Sequence, residues 1–135
     1  MRFFFLLFVA TSALLSCKQS AIQSRLAKCD SLTIEFYEPR TSAVVKTVAT
    51  AEKSAIRRLS QFVDGKEVQS SNCGNDGKLI FFSDGQKEME ITFQSKIDSC
   101  RNFTFQGDEQ FNGTRKMSNE AADFLKSLSM GMSWY

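Results

Sequence analysis

The chain has no histidine in its 135 residues. That removes Ser-His-Asp and Cys-His nucleophilic machinery, histidine general bases and most zinc sites. No serine is followed three residues later by lysine, so the Ser-x-x-Lys nucleophile is missing as well. A Gly-rich phosphate loop is also absent. The nearest stretch, Gly74 to Lys78 (GNDGK), is too short for one, lacks the acidic alternation of a calcium loop and reads as a turn. Excess charge is scarce: 17 Lys+Arg face 15 Asp+Glu, for a net of +2. Such a balance gives no electrostatic reason to bind nucleic acid. No internal repeat or low-complexity tract is present, and no cofactor, metal ligand or catalytic residue is assigned.

Long apolar runs are confined to one place. After Met1-Arg2, residues Phe3 to Leu15 are interrupted only by Thr11 and Ser12. The run is apolar all round rather than on one stripe, and too short for a transmembrane helix of about 20 residues. It matches the charged and hydrophobic regions of an export signal. The sequence then turns polar at a single cysteine, in Leu14-Leu15-Ser16-Cys17.

That tetrapeptide resembles the lipobox of bacterial lipoproteins, with an aliphatic residue three before the cysteine and a small residue just before it. The resemblance covers about the first twenty residues. It implies that residues 1–16 are a signal peptide and that the Cys17 thiol carries diacylglycerol, with cleavage before Cys17 and further acylation of the new amino group. Each buried methylene contributes about 0.8 kcal/mol, so two or three acyl chains hold a domain on a membrane stably. The implied address is the bacterial cell envelope, anchored to a membrane rather than spanning it. Lys18 is not the aspartate that marks inner-membrane retention in enteric bacteria, which leans toward the outer membrane. Removing residues 1–16 takes away Arg2 and no acid, so the mature chain is balanced to within one charge.

Residues 17–30 are expected to be a lipidated tether, although Ile22 and Leu26, four apart, also permit a short amphipathic helix. A single globular domain is expected over 31–135. Leu32, Ile34 and Phe36 alternate with Thr33, Glu35 and Tyr37 in a half-buried strand that stops at Pro39, and a second strand, Ala43 to Val48, completes a hairpin. Thr50 to Gly65 reads as a helix with Thr50 as cap, Glu52 in the first turn, Gly65 as stop, and Ile56, Leu59, Phe62 and Val63 on one stripe. Leu79 to Phe93 is a hairpin turning at Asp84-Gly85. Its register stays open: a two-residue loop puts Ile80 opposite Met89, and a three-residue loop puts Leu79 there. Strand pieces follow around Phe103 and Thr114, and a helix from Ser118 buries Ala121, Phe124, Leu125 and Leu128. The fold class is therefore α+β, an antiparallel sheet of about five or six strands with two helices on one face.

With Cys17 lipidated, the three remaining cysteines allow three single pairings, each leaving one thiol over. The expected bridge is Cys73 to Cys100, since both precede strands that run the same way in a meander and so lie at one end of the sheet. Cys29 is left as a possible free thiol, or a small apolar residue at the start of the first strand. Asp30-Ser31-Leu32 resembles the Asp-Ser/Thr-aliphatic O-glycosylation site of Bacteroidetes envelope proteins, making Ser31 a candidate for glycan. Two sequons, at Asn102 and Asn112, are chance matches in a bacterial lipoprotein. Glu88 and Glu90 are expected on one strand face as a solvated surface, Arg57-Arg58 on an exposed helix face, and the tail MGMSWY across the sheet edge. The function expected is a non-catalytic binding or structural module whose partner is an envelope protein. The rivals are a thiol-based redox protein or enzyme using Cys29, and a carrier of an apolar ligand.

Overall fold

Asp84 (φ 52°) and Gly85 (φ 76°) both take the left-handed conformation that a two-residue hairpin turn demands, and the flanking strands pair across them. In the computed structural model, which describes residues 19–134, this hairpin is the centre of a seven-stranded sheet. The strands are β1 (Ser31–Tyr37), β2 (Val44–Thr50), β3 (Glu67–Val68), β4 (Gly77–Ser83), β5 (Gln86–Gln94), β6 (Asn102–Gln106) and β7 (Gly113–Lys116). Their order is β2-β1-β4-β5-β6-β7-β3, with every neighbouring pair antiparallel. The helices are α1 (Ala21–Ala27), α2 (Lys53–Phe62) and α3 (Asn119–Ser129). The α+β class is as expected, but there are seven strands and three helices. The expected signal peptide over 1–16, Cys17 and Tyr135 lie outside the described residues.

Register explains the core. Ile34, Leu79, Ile91 and Phe105 form one row across four strands, and Leu32, Phe81 and Met89 form another. A third row runs Phe36, Gly77, Phe93 and Phe103. These side chains join the buried residues of all three helices in one hydrophobic cluster, so the helices cover a single face of the sheet. The open face carries Glu35, Lys78, Glu90, Thr92 and Thr104, the alternation of a half-solvated antiparallel sheet.

Neither expected register of the β4–β5 hairpin is found. The loop is the two residues Asp84-Gly85, yet Phe81 faces Met89 because Glu88 has no partner on β4. This bulge moves Met89, Ile91 and Phe93 onto the core face; without it, Phe81 would oppose Glu88. Arg25 of α1 takes up the freed backbone, donating from Nη2 to the Glu88 carbonyl (3.3 Å) and from Nε to its carboxylate (2.7 Å). The same guanidinium pairs with Asp108 at 2.7 Å and lies over the Phe111 ring. Its hydrogen bond holds the Asp108 carboxyl below the ordinary aspartate pKa. This contribution to α1 docking is fully present at neutral pH and is lost as pH falls through the acid range.

The expected tether is folded from Ser20 onward. Ser20 caps α1, its hydroxyl accepting from the Gln23 N–H, and Ile22 (1 % exposed) and Leu26 (0 %) enter the common core. Leu26→Ala is expected to cost about 2 to 4 kcal/mol, read from the urea midpoint, where a tether residue would cost nothing measurable. The helix at residue 53 also starts later than expected. Thr50 belongs to β2, its hydroxyl accepts from the Glu52 N–H, and Glu52 is the N-cap residue without a side-chain bond to the helix. The helix ends at Phe62, before Gly65, whose own role is spatial: a Cβ there would overlap the Lys116 carbonyl.

Candidate functional site

Cys29 is buried (3 % exposed) where α1 passes into β1, and its thiol is oriented toward the Arg25 carbonyl at 4.0 Å. Burial pushes its pKa up, away from the range of a reactive thiolate. A thiol reagent at pH 8 is therefore expected to react with Cys29 only as the protein unfolds. Rapid, stoichiometric labelling of the folded chain would revive a redox role.

Cys73 and Cys100 are bridged, with Cα atoms 6.2 Å apart. Leaving β3 at one edge, the chain must return past β7, β6 and β5 to begin β4. The bridge fastens this crossing to the turn before β6. Gln94 donates to the Cys73 carbonyl (3.1 Å) and Asn102 to the Ser71 hydroxyl (3.0 Å), adding two further ties. Ser31 is half-buried at the first position of β1, opposite Phe82, with Asp30 accepting from the Asp84 N–H at 2.8 Å.

The carboxylates Glu88 and Glu90 do not share a face. Glu88 sits in the bulge against Arg25, while Glu90 pairs with Lys78 (3.3 Å) and Lys87 (3.1 Å) on the open side. Arg57 and Arg58 diverge as well: Arg57 is exposed, whereas Arg58 lies 4.3 Å over the Phe124 ring and within 3.7 Å of Glu120. Trp134 packs toward Phe124, so that part of the tail belongs to the fold, while Met130 and Met132 stay exposed. Among the described residues no group of three or more metal-ligating acids or cysteines converges, and no helix is long and apolar enough to cross a membrane.

The feature the sequence did not disclose is a groove of about 420 Å³ between α3 and the ends of β1, β2, β4, β5 and β6. Its apolar lining is Phe36, Val45, Ala122, Leu125 and Met130. Four cations also line it, Lys46, Lys96, Arg101 and Lys126, against two acids, Asp76 and Asp123. The volume falls within the range of small-ligand and peptide-side-chain sites.

The charges differ in how far the fold occupies them. Arg101 is consumed by structure: it donates to the Ser95 carbonyl (3.0 Å) and to Asn119 (2.8 Å), and pairs with Asp98 (2.9 Å). Asp76 is buried, and its Oδ2 accepts from the backbone N–H groups of Ser95 (2.8 Å) and Lys96 (2.9 Å). Lys46 reaches the Ser129 carbonyl at the C-terminus of α3 (3.2 Å), where the helix dipole favours a cation. The Lys96 and Lys126 ammonium groups have no ion pair among the described residues, and neither does the Asp123 carboxylate. Of the lining residues, Val45 and Met130, each 63 % exposed, present apolar surface to solvent.

The chain matches no protein-family model, no curated protein and no solved structure.

Proposed function

We propose that this chain is a bacterial envelope lipoprotein, held on a membrane through Cys17, whose domain binds a partner in the α3 groove and carries out no bond-making chemistry. The groove is the observation that carries the binding role. It combines uncommitted lysines with exposed apolar side chains. The thiol-based alternative is weakened by the burial of Cys29. The apolar-carrier alternative is weakened by the polar side chains that interrupt the lining.

The lipobox resemblance supplies the anchor, and the early start of α1 gives it a mechanical consequence. With Ser20 already capping α1, two residues, Lys18 and Gln19, lie between Cys17 and the folded body. The three Cα steps from Cys17 to Ser20 span at most about 10 Å, so the domain rides against the bilayer rather than on a long leash. Such a module meets its partner at the membrane surface, and an envelope protein fits that geometry.

Fractionation of cells making the Cys17→Ala chain tests the anchor. The variant is expected in the soluble fraction, still folded and still bridged. Retention of the folded variant in the membrane fraction would contradict the proposal.

A further inference from the structure

The groove's occupant has a definite chemistry. We infer that it is a short acidic segment of a protein partner, its carboxylates meeting Lys96 and Lys126 and an apolar side chain lying on the exposed Val45 and Met130. This rests on the binding-module reading above and specifies its ligand.

Charge decides the sign. Of the four cations lining the groove, Arg101 is saturated by Ser95, Asn119 and Asp98, and Lys46 is partly held by Ser129. Lys96 and Lys126 approach from different elements, the loop after β5 and the last turns of α3, and neither is paired with an acid among the described residues. Asp76 already accepts from two backbone amides, which leaves Asp123 as the one acid competing for the free lysines. An anionic visitor therefore meets a net positive site, while a cationic one meets two uncompensated lysines.

Shape and lining argue for a peptide. On the α3 side the groove presents the exposed Asp123, Lys126, Ser129 and Met130, three polar positions and one apolar, over the buried Ala122 and Leu125. A hydrocarbon chain would bury the polar members of that series without partners. A peptide presents carboxylates, amides and apolar side chains at spacings of a few ångström, which this surface can satisfy in turn. Exposed Val45 and Met130 supply the groove's accessible apolar contact, and Met132 (58 % exposed) follows Met130 two residues later.

Fluorescence anisotropy of the full lipidated chain in detergent micelles tests the assignment. The probe is a labelled, end-capped Glu-Leu-Glu-Leu-Glu peptide, and its Gln-Leu-Gln-Leu-Gln and Lys-Leu-Lys-Leu-Lys counterparts are the comparisons. The acidic peptide is expected to bind, and to weaken as NaCl rises from about 50 to about 500 mM, because the contacts are exposed and screened. Binding to a Lys96→Gln/Lys126→Gln variant is expected to fall about tenfold, with the unfolding midpoint unchanged because both side chains are exposed. Equal binding of the acidic and Gln peptides, or undiminished binding by the double variant, would overturn the assignment. Binding of decanoate without any acidic peptide would overturn it too, yet leave the binding-module reading standing for a small amphiphile. Failure of the acidic, Gln and Lys peptides and of decanoate alike would remove both.

Discussion

Replacing Cys73 and Cys100 together with alanine is expected to cost about 3.5 kcal/mol of folding stability. The bridge joins residues 27 apart in sequence, and closing a loop of that size removes this much entropy from the unfolded chain in the simple chain model. The effect should be local as well as global. Residues 69–76 cross three strands to reach β4, and besides the bridge they are held by Gln94, Asn102 and the Asp76 cap on the turn at Ser95 and Lys96. Loosening that crossing releases Asp76 and Lys96 from the groove wall. The double variant is therefore expected to show a lower urea midpoint and weaker binding of the acidic peptide, and reduction of the native chain should reproduce both. A stability loss below about 1 kcal/mol would mean that the bridge sits on a crossing already fixed by its polar ties.

Gly77→Ala is expected to be comparably damaging, about 3 kcal/mol or more, for a steric reason. Gly77 begins β4 between Phe36 of β1 and Phe93 of β5, in the sheet interior. An added Cβ would overlap the Glu35 carbonyl oxygen and approach the Phe93 ring to 2.7 Å. The obstructing oxygen is backbone in a central strand, so relief requires β1 and β4 to separate rather than a side chain to turn. Gly74→Ala provides the contrast. A Cβ there meets nothing within 4 Å, and the cost arises only from its positive φ of 77°, roughly 1 kcal/mol. Urea unfolding of both variants should rank Gly77 well above Gly74. The reverse order would mean that the β1–β4 spacing is not fixed as described.

The parts of the fold legible in the sequence are those with local chemistry. Ser118 caps α3 as its position ahead of an apolar stripe implied, accepting from the Ala121 N–H, and Asp84-Gly85 turns the hairpin with two positive φ angles. The pairing of Cys73 with Cys100 followed from strand direction alone. What escaped was set by tertiary contact. A seven-residue helix with two buried aliphatic residues carries little signal of its own, and α1 is held by Ile22, Leu26 and the Arg25 bonds to Glu88 and Asp108. The bulge at Glu88 is invisible to alternation, because it changes the alternation, and Arg25, 63 residues away in sequence, binds the carbonyl it frees. β3 is two exposed residues with no pattern to detect. The groove was least legible, since its lining comes from β1, β2, the loop after β5 and α3. Nothing about Lys96 or Lys126 in the sequence distinguishes them from other surface lysines until the fold places both on one groove, where neither has an ion pair among the described residues.

Two structural facts bear on how an anchored module would work. Folding starts three residues after Cys17, so the proposed anchor at that residue would hold the domain close to the membrane surface. Val45, an exposed lining residue of the groove, belongs to β2, which is an edge strand among the described residues. A bound segment therefore has open chain to continue along if it is longer than the groove.

The anchor is the claim on which the rest depends, and the mass of the N-terminal peptide of the chain isolated from its native membranes tests it most directly. The account predicts a peptide beginning at Cys17 and carrying diacylglycerol on the cysteine sulfur. A chain that still begins at Met1, or one that begins elsewhere with an unmodified Cys17 thiol, would contradict it.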